Sequence, residues 1–184
     1  MHIFRKLLMI VVLLISILLI AAFFVDKEYK IQRSIIIEQP NEVVFNYIKH
    51  INNHKYFIVW SDLPINTTWV FKGEDGNVGY TVFWKNENEI NNAGEKEIIS
   101  IEEGKRVDFE VRFLQPYKAI IPSFMTTQRL GTNSTKVSWG TYGQLNYPKN
   151  AILLFYDYGS KFNGQLDVGL TNLKNALEQS NEVK

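Results

Sequence analysis

Hydrophobic and polar residues follow three different patterns in successive parts of the chain. Residues 7–25 form an apolar run without a charge, a Gly or a Pro. Between residues 67 and 144, apolar and polar positions alternate, which is typical of β-strands with one solvated face. Towards the carboxyl terminus, apolar residues recur every three or four positions, which indicates an amphipathic helix. The patterns predict an apolar helix, an antiparallel sheet and a long closing helix.

The apolar run fits one membrane-spanning helix, since its nineteen residues rise about 28 Å against a hydrocarbon core of about 30 Å. A cleavable signal peptide is the alternative, because Arg5 and Lys6 precede the run and Ala21 and Ala22 are small enough for a cleavage site. A cleavable signal is disfavoured because the apolar run continues beyond these alanines. A buried core helix is disfavoured because nineteen apolar residues leave no polar face for water. We therefore predict an uncleaved transmembrane helix over residues 7–25.

Charges beside the run predict its orientation. Basic residues favour the cytoplasmic side of a membrane. Arg5 and Lys6 lie in the short segment 1–6, whereas basic and acidic residues are mixed just after the run. The expected protein is single-pass, with residues 1–6 in the cytoplasm and residues 26–184 outside it.

Residues 26–184 have the size of one domain. They contain 18 basic and 19 acidic residues, and this balance does not indicate a nucleic-acid partner. The sequence has no Cys, so disulfide bonds, thiol chemistry and thiolate metal sites are excluded. The domain is expected to be stabilised by packing alone.

The domain begins with a predicted strand and helix. Residues 29–38 are β-rich, and after Pro40 the period changes, with Asn41 as the expected N-cap of a helix. The apolar positions of this helix are Val43, Val44, Tyr47, Ile48 and Ile51. Six further strands are predicted between turns that contain Gly, Asp or Asn, at residues 67–72, 79–85, 96–101, 106–114, 118–130 and 135–144.

The closing helix has an apolar stripe that needs a partner. The stripe consists of Phe155, Tyr158, Phe162, Leu166, Leu170, Leu173 and Leu177. Gly159, Gly164 and Gly169 weaken a helix, so we expect either a kink or a close backbone approach there. Packing the stripe on the dry face of the sheet gives an α+β fold, in which a curved antiparallel sheet wraps around the C-terminal helix.

A resemblance to a known family is carried by three stretches: YKIQRSIIIEQPNEVVFNYI, STKVSWGTYG and FNGQLDVGLTNLKNALE. They resemble the helix-grip superfamily, also called SRPBCC, which includes polyketide cyclase/dehydrase, START lipid-transfer and Bet v 1-like proteins. The likeness spans residues 29–178. The chain as a whole resembles bacterial members of the superfamily that have one N-terminal membrane span. It implies the fold and leaves the function open, because the superfamily contains binders, transporters and enzymes.

Candidate catalytic and metal-binding residues are few. His50 and His54 are four residues apart and would share a helix face, but a metal site would need a carboxylate such as Asp62. We favour a polar helix end that faces water. The sequence contains no nucleophile elbow and no phosphate-binding loop. No catalytic residue, metal or cofactor is therefore predicted.

Carboxylates serve as a general acid or base where they are buried. The strand alternation places most of the candidates on solvated faces, namely Glu95, Glu97, Asp108 and Glu110. Asp157 lies one residue from the apolar stripe and is the candidate polar group of a pocket.

Aromatic residues are spread over the predicted sheet and helix, and a subset that lines a cavity would bind an apolar ligand. The predicted ligand-binding residues are Tyr80, Trp84, Phe109, Phe113, Trp139, Asp157, Tyr158 and Phe162. The favoured function is membrane-anchored binding of a hydrophobic small molecule or lipid between the sheet and the C-terminal helix. One alternative is a cyclase- or dehydratase-like enzyme, which requires a buried polar group with a perturbed pKa. The other is a cell-envelope interaction or stress module whose cavity is filled by side chains.

Overall fold

The computed structural model describes residues 2–58, 67–86, 92–115, 118–155 and 158–179. These ranges contain three α-helices: α1 His2–Phe23, α2 Asn41–Lys49 and α3 Tyr158–Gln179. Two 3-10 helices lie at Ile51–Tyr56 and Lys149–Leu154. The strands are β1 Glu28–Ile37, β2 Thr67–Lys72, β3 Thr81–Asn86, β4 Asn92–Glu102, β5 Arg106–Gln115, β6 Ala119–Arg129 and β7 Thr135–Gln144.

The strands form one antiparallel sheet in the order β1-β7-β6-β5-β4-β3-β2. Each strand from β2 to β7 pairs with its neighbour in sequence, and glycines help to reverse the chain between them. Gly76 and Gly104 have φ of 85° and 72°, values that favour Gly. β1 pairs with β7 at the other edge. The predicted strands are all present, and β4 begins four residues earlier than predicted.

The amino end of α2 differs from the prediction. Pro40 occupies the N-cap position, and no side chain of the described residues caps the helix. Asn41 is instead buried, and its Nδ2 donates a hydrogen bond to the carbonyl of Gly104 at 2.8 Å. The predicted N-cap is wrong because this side chain tethers α2 to the β4–β5 turn. Val43, predicted to be apolar core, is exposed, and Phe45 is buried instead.

The C-terminal helix α3 packs its predicted stripe on the sheet. It lies over β1 and β7, and its buried positions include Leu166, Leu170, Leu173 and Leu177. Phe155, predicted to begin the stripe, lies outside the helix and is 78% exposed. This prediction is wrong because the 3-10 helix Lys149–Leu154 interrupts the helical period before α3 begins.

Gly169 is the close backbone approach expected in α3. A Cβ built there would lie 2.5 Å from Cζ3 of Trp139 and 3.2 Å from the carbonyl oxygen of Phe57. Gly169→Ala is therefore expected to lower the free energy of unfolding by about 1–3 kcal/mol, because overpacking forces the core to shift. Gly164→Ala is the control, since a Cβ there meets nothing within 4 Å and Ala favours a helix by about 1 kcal/mol. Urea denaturation measures both, and a Gly169→Ala protein as stable as the control would contradict the expectation.

The two faces of the sheet differ as the alternation predicts. The face towards α3, which we call the inner face, carries the buried β5 residues Val107, Phe109 and Val111. On the opposite, outer face, Arg112 forms ion pairs with Glu95, Glu97 and Glu110. Asp108 is paired with Arg106. These carboxylates lie on the outer face as the alternation predicts, although ion pairs with arginines leave them only partly exposed.

Candidate functional site

His54 lies over the inner face of the sheet and is only 3% exposed. It belongs to the 3-10 helix Ile51–Tyr56, which packs against α2. Its Nε2 donates to the carbonyl of Ile48 at 2.8 Å, and the rings of Phe57 and Phe109 lie 4.9 and 5.1 Å from the imidazole. The predicted solvent-facing helix end is therefore wrong at His54, because α2 stops earlier and the following turn carries this side chain inwards.

Lys96 is a lysine on the inner face of the sheet. Its register partners are Val82 on β3 and Val111 on β5, and both are buried. The Nζ of Lys96 lies 2.6 Å from Nδ1 of His54 and 4.5 Å from the centre of the Phe109 ring. Since Nε2 of His54 donates to a carbonyl, Nδ1 accepts from Lys96. We call these two residues the Lys96–His54 pair.

Burial shifts the protonation of both groups. It lowers the pKa of Lys96 to about 7, since an ammonium loses its hydration among apolar side chains. Burial also holds the pKa of His54 well below its usual 6.5, and the charge of Lys96 lowers it further. At neutral pH, a large share of Lys96 is therefore an uncharged amine beside a neutral imidazole. An uncharged amine can accept a proton or attack a carbonyl carbon.

Tyr80 adds a further polar group to the inner face. It is 3% exposed, and its hydroxyl donates to Oδ1 of Asn52 at 2.9 Å. Its backbone carbonyl accepts from the N–H of Ile98, two residues from Lys96 on β4. Burial raises the pKa of Tyr80, so the hydroxyl stays protonated at neutral pH and remains a donor.

An aromatic pair lies beside Lys96, nearer to the strand ends. Trp84, Gly94 and Phe113 are directly paired across β3, β4 and β5 and form one row of the register. The two rings meet edge to face with their centroids 6.1 Å apart, and both are half-buried. A Cβ at Gly94 would collide with the Trp84 ring. Gly94 therefore makes the room that the Trp84–Phe113 pair needs over β4.

The Trp84–Phe113 pair lies at the end of the sheet where α1 joins it. Phe113 is paired with Ala119 at the start of β6. At the same end, β7 finishes at Gln144 opposite Glu28, the first residue of β1, and residues 24–27 connect α1 to β1. The Lys96–His54 pair lies one register row deeper.

The other predicted ligand-binding residues lie elsewhere or outside the described residues. Trp139 is buried, and its Nε1 donates to Oγ of Ser123 at 3.2 Å. Phe162 is partly buried against the core. Asp157 lies outside the described residues, as does the side chain of Tyr158 at the start of α3. Four of the predicted residues lie on or beside β3 to β5, the part of the sheet that also carries Lys96. They are Tyr80, Trp84, Phe109 and Phe113.

Lys96 was not among the predicted site residues, and His54 was considered only as a metal ligand and placed on a water-facing helix end. A signal for Lys96 was present, because it has the same parity as the fully buried Ile98 and the alternation therefore places it on the dry face. No group of three His, Asp or Glu is arranged to hold a metal ion in the described ranges, and Asp62 lies outside them. An open depression of about 550 Å³ beside α2 is lined by Glu42, Val43, Asn46, Tyr47 and Asn53, none of which belongs to the pair.

Solved structures of other proteins share this arrangement of sheet and helix. The Aha1 dimer from Colwellia psychrerythraea is 16% identical, with a TM-score of 0.54 over 82% of this chain and 96% of that one. Norcoclaurine synthase from Thalictrum flavum, in complex with dopamine and hydroxybenzaldehyde, is 10% identical, with a TM-score of 0.57 over 83% and 87%. A protein from Thermobifida fusca is 14% identical, with a TM-score of 0.57 over 82% and 93%. The chain has the helix-grip fold.

The helix-grip fold is the architecture that the sequence resemblance implied, and that prediction is confirmed. No family model matches the sequence, and the comparison with curated proteins found no match either. At these identities the likeness establishes the fold alone, because one fold hosts many functions. Function has to be argued from the inner face and from α1.

Proposed function

We propose that this protein is anchored in a membrane and binds a hydrophobic small molecule or lipid between the inner face of the sheet and α3. The observation that carries the proposal is the Trp84–Phe113 pair. α3 lies over β1 and β7, whereas this pair is half-buried on β3 and β5. Apolar rings with a few polar groups nearby, here Lys96, His54 and Tyr80, are the usual composition of a small-molecule site.

The anchor is supported by α1. Ile3–Phe23 is long and apolar enough to span a membrane, and most of its apolar residues are exposed, unlike those of a core helix. Ala22 is fully buried, and its carbonyl accepts a hydrogen bond from Asn150, so the end of α1 is part of the domain's own packing. This supports a retained helix over a removed signal peptide. Arg5 and Lys6 favour a cytoplasmic N-terminus.

Phe113→Glu is expected to weaken the binding of apolar ligands, because it places a charge beside Trp84 in the proposed site. Leu114→Glu is the matched control, since this neighbour on β5 points to the outer face and is 39% exposed. Native mass spectrometry of the full chain in detergent identifies molecules that co-purify with it. Displacement of a fluorescent fatty-acid analogue is expected to show at least about tenfold weaker affinity for Phe113→Glu, or about 1.4 kcal/mol.

Equal affinities of the two variants would contradict the proposed site. If the unmodified chain neither carries an apolar molecule nor binds the analogue, ligand binding is wrong, and the envelope module with a filled interior is favoured.

The Lys96–His54 pair favours an enzyme of the cyclase or dehydratase type as the second candidate function. Such reactions need a base that removes a proton from carbon or from a hydroxyl group. Lys96 with a pKa of about 7 can take this role, while the neutral imidazole of His54 holds the amine in place. The test measures the rate of acetylation of Lys96 by acetic anhydride against pH, with mass spectrometry of the digested chain. A midpoint near pH 7 supports the candidate, and a midpoint near the ordinary value of about 10.4 removes it.

A further inference from the structure

The 3-10 helix Lys149–Leu154 is fixed to the carboxyl end of α1. Asn150 is fully buried, and its Nδ2 donates to the carbonyls of Ala22 at 2.6 Å and of Val25 at 3.1 Å. Carbonyls at the end of a helix lack a full set of partners within it, so this side chain supplies donors that the end of α1 needs. The 3-10 helix consequently lies at the level of the last turn of α1.

Exposed apolar side chains surround this junction. Phe23 and Phe24, where α1 ends, are 73% and 81% exposed, and Phe155 is 78% exposed. We define the junction patch as Phe23, Phe24, Tyr147, Ile152, Leu154 and Phe155, all of them exposed. They flank the contact between α1 and the 3-10 helix, and apolar surface exposed at one such place marks an interaction site.

We propose that the junction patch inserts into the membrane–water interface on the non-cytoplasmic side of the membrane that α1 spans. Its partners there are the lipid headgroups and the adjoining ends of the acyl chains. The inference rests on the proposed membrane anchoring of α1. The position of the patch relative to the bilayer indicates lipid as the partner. α1 leaves the hydrocarbon core where its apolar run ends, and Asn150 holds the 3-10 helix at that same level. Aromatic side chains are favoured at this depth, and a short apolar segment gains stability by burial there.

Insertion of the junction patch would fix how the domain is oriented. A single helix lets a domain rotate and tilt above the membrane, whereas a second contact beside it restricts both motions. Because α1 joins the sheet at the end that carries the Trp84–Phe113 pair, that end would be held towards the bilayer.

The absence of Cys from the sequence permits a direct test with single nitroxide labels. Three variants of the full chain are reconstituted in phosphatidylcholine vesicles: Phe155→Cys in the junction patch, Ile10→Cys in α1 and Val43→Cys on α2. Val43 is 48% exposed and lies in no part of the patch. Electron paramagnetic resonance measures collision rates of each label with oxygen, which partitions into lipid, and with a water-soluble nickel chelate.

The ratio of oxygen to nickel collisions at position 155 is expected to be at least about threefold higher than at position 43 and lower than at position 10, since interfacial residues lie between water and the bilayer centre. A label at 155 that behaves like the one at 43, while the label at 10 is deep, would overturn the junction patch and leave the anchor intact. A label at position 10 that is accessible to nickel would overturn the membrane anchor and this inference with it.

Discussion

Lys96→Met is expected to raise the free energy of unfolding at pH 7 by about 1–4 kcal/mol, the range found when buried ion pairs are replaced by apolar residues of similar volume, because the half-buried Lys96 holds its amine among apolar side chains. The amine of Lys96 lies between Val82 and Val111 in the register and over the Phe109 ring. Among the described residues, its ammonium donates to the imidazole of His54, and no carboxylate pairs with it. Met fills the same space without a charge to desolvate.

The gain from Lys96→Met is expected to depend on pH in one direction. The pKa of this lysine falls from 10.5 to about 7 on folding, so between these values the unfolded chain binds one proton more than the folded chain. The stability of the unmodified protein therefore rises with pH across this window. The advantage of Lys96→Met should be largest below pH 7 and should shrink towards pH 10.5.

Lys136→Met is the control, because Lys136 is exposed on β7 and the variant loses the same charge. Urea denaturation at about pH 6, 8 and 10 measures the free energies of unfolding, whose pH slope reports the difference in bound protons. If Lys96→Met is no more stable than Lys136→Met at the lowest pH, the amine is not buried as described. If it is more stable, the chain carries at position 96 a residue that lowers its stability, which is typical of functional sites.

His54→Gln is expected to flatten the acid side of the stability profile. Burial and the charge of Lys96 hold the pKa of His54 well below 6.5 in the folded chain, whereas the unfolded imidazole protonates near 6.5. As the pH falls below this value, the unfolded state binds the extra proton, and stability falls by up to about 1.4 kcal/mol per pH unit. Gln keeps a donor for the carbonyl of Ile48 and an acceptor for Lys96, so the variant loses the titration and keeps both hydrogen-bond partners.

His50→Gln is the matched control, since His50 is less buried and its bond in the described part of the chain is a local one, to the carbonyl of Asn46 at 2.6 Å. Thermal unfolding followed between about pH 4 and 7 compares the variants, because the slope with pH reports the protons taken up on unfolding. An acid slope of His54→Gln as steep as that of His50→Gln would show that His54 is not the group responsible.

The sheet was predictable from the sequence because pleating imposes a period of two. On β5, Val107, Phe109 and Phe113 share the inner face for this reason, and the turn glycine Gly104 marks where the strand begins. The order of strand, helix, strands and helix then left the dry face of the sheet as the partner of the C-terminal stripe.

The Lys96–His54 pair could not be derived in the same way. Its members are 42 positions apart in the chain, and their meeting depends on where a 3-10 helix folds after α2 ends, which no local period encodes. Asn41 illustrates the same limit, since its side chain satisfies a distant carbonyl at Gly104 instead of its own helix. Phe155 fits the helical spacing, but it follows the 3-10 helix Lys149–Leu154 and precedes α3, so it belongs to neither helix.

The register of β3, β4 and β5 fixes an order of encounter for any molecule that arrives from the side of α1. The row of Trp84, Gly94 and Phe113 comes first, and the row of Lys96 comes second. An amphiphile that enters with its hydrocarbon tail leading would bring that tail to the amine, whereas one that enters with a carbonyl or acid group leading would pass this group across the rings and leave its tail among them. The second arrival matches polar to polar and apolar to apolar. If the proposed function holds, ligands would therefore be discriminated by the direction in which they enter as well as by their shape.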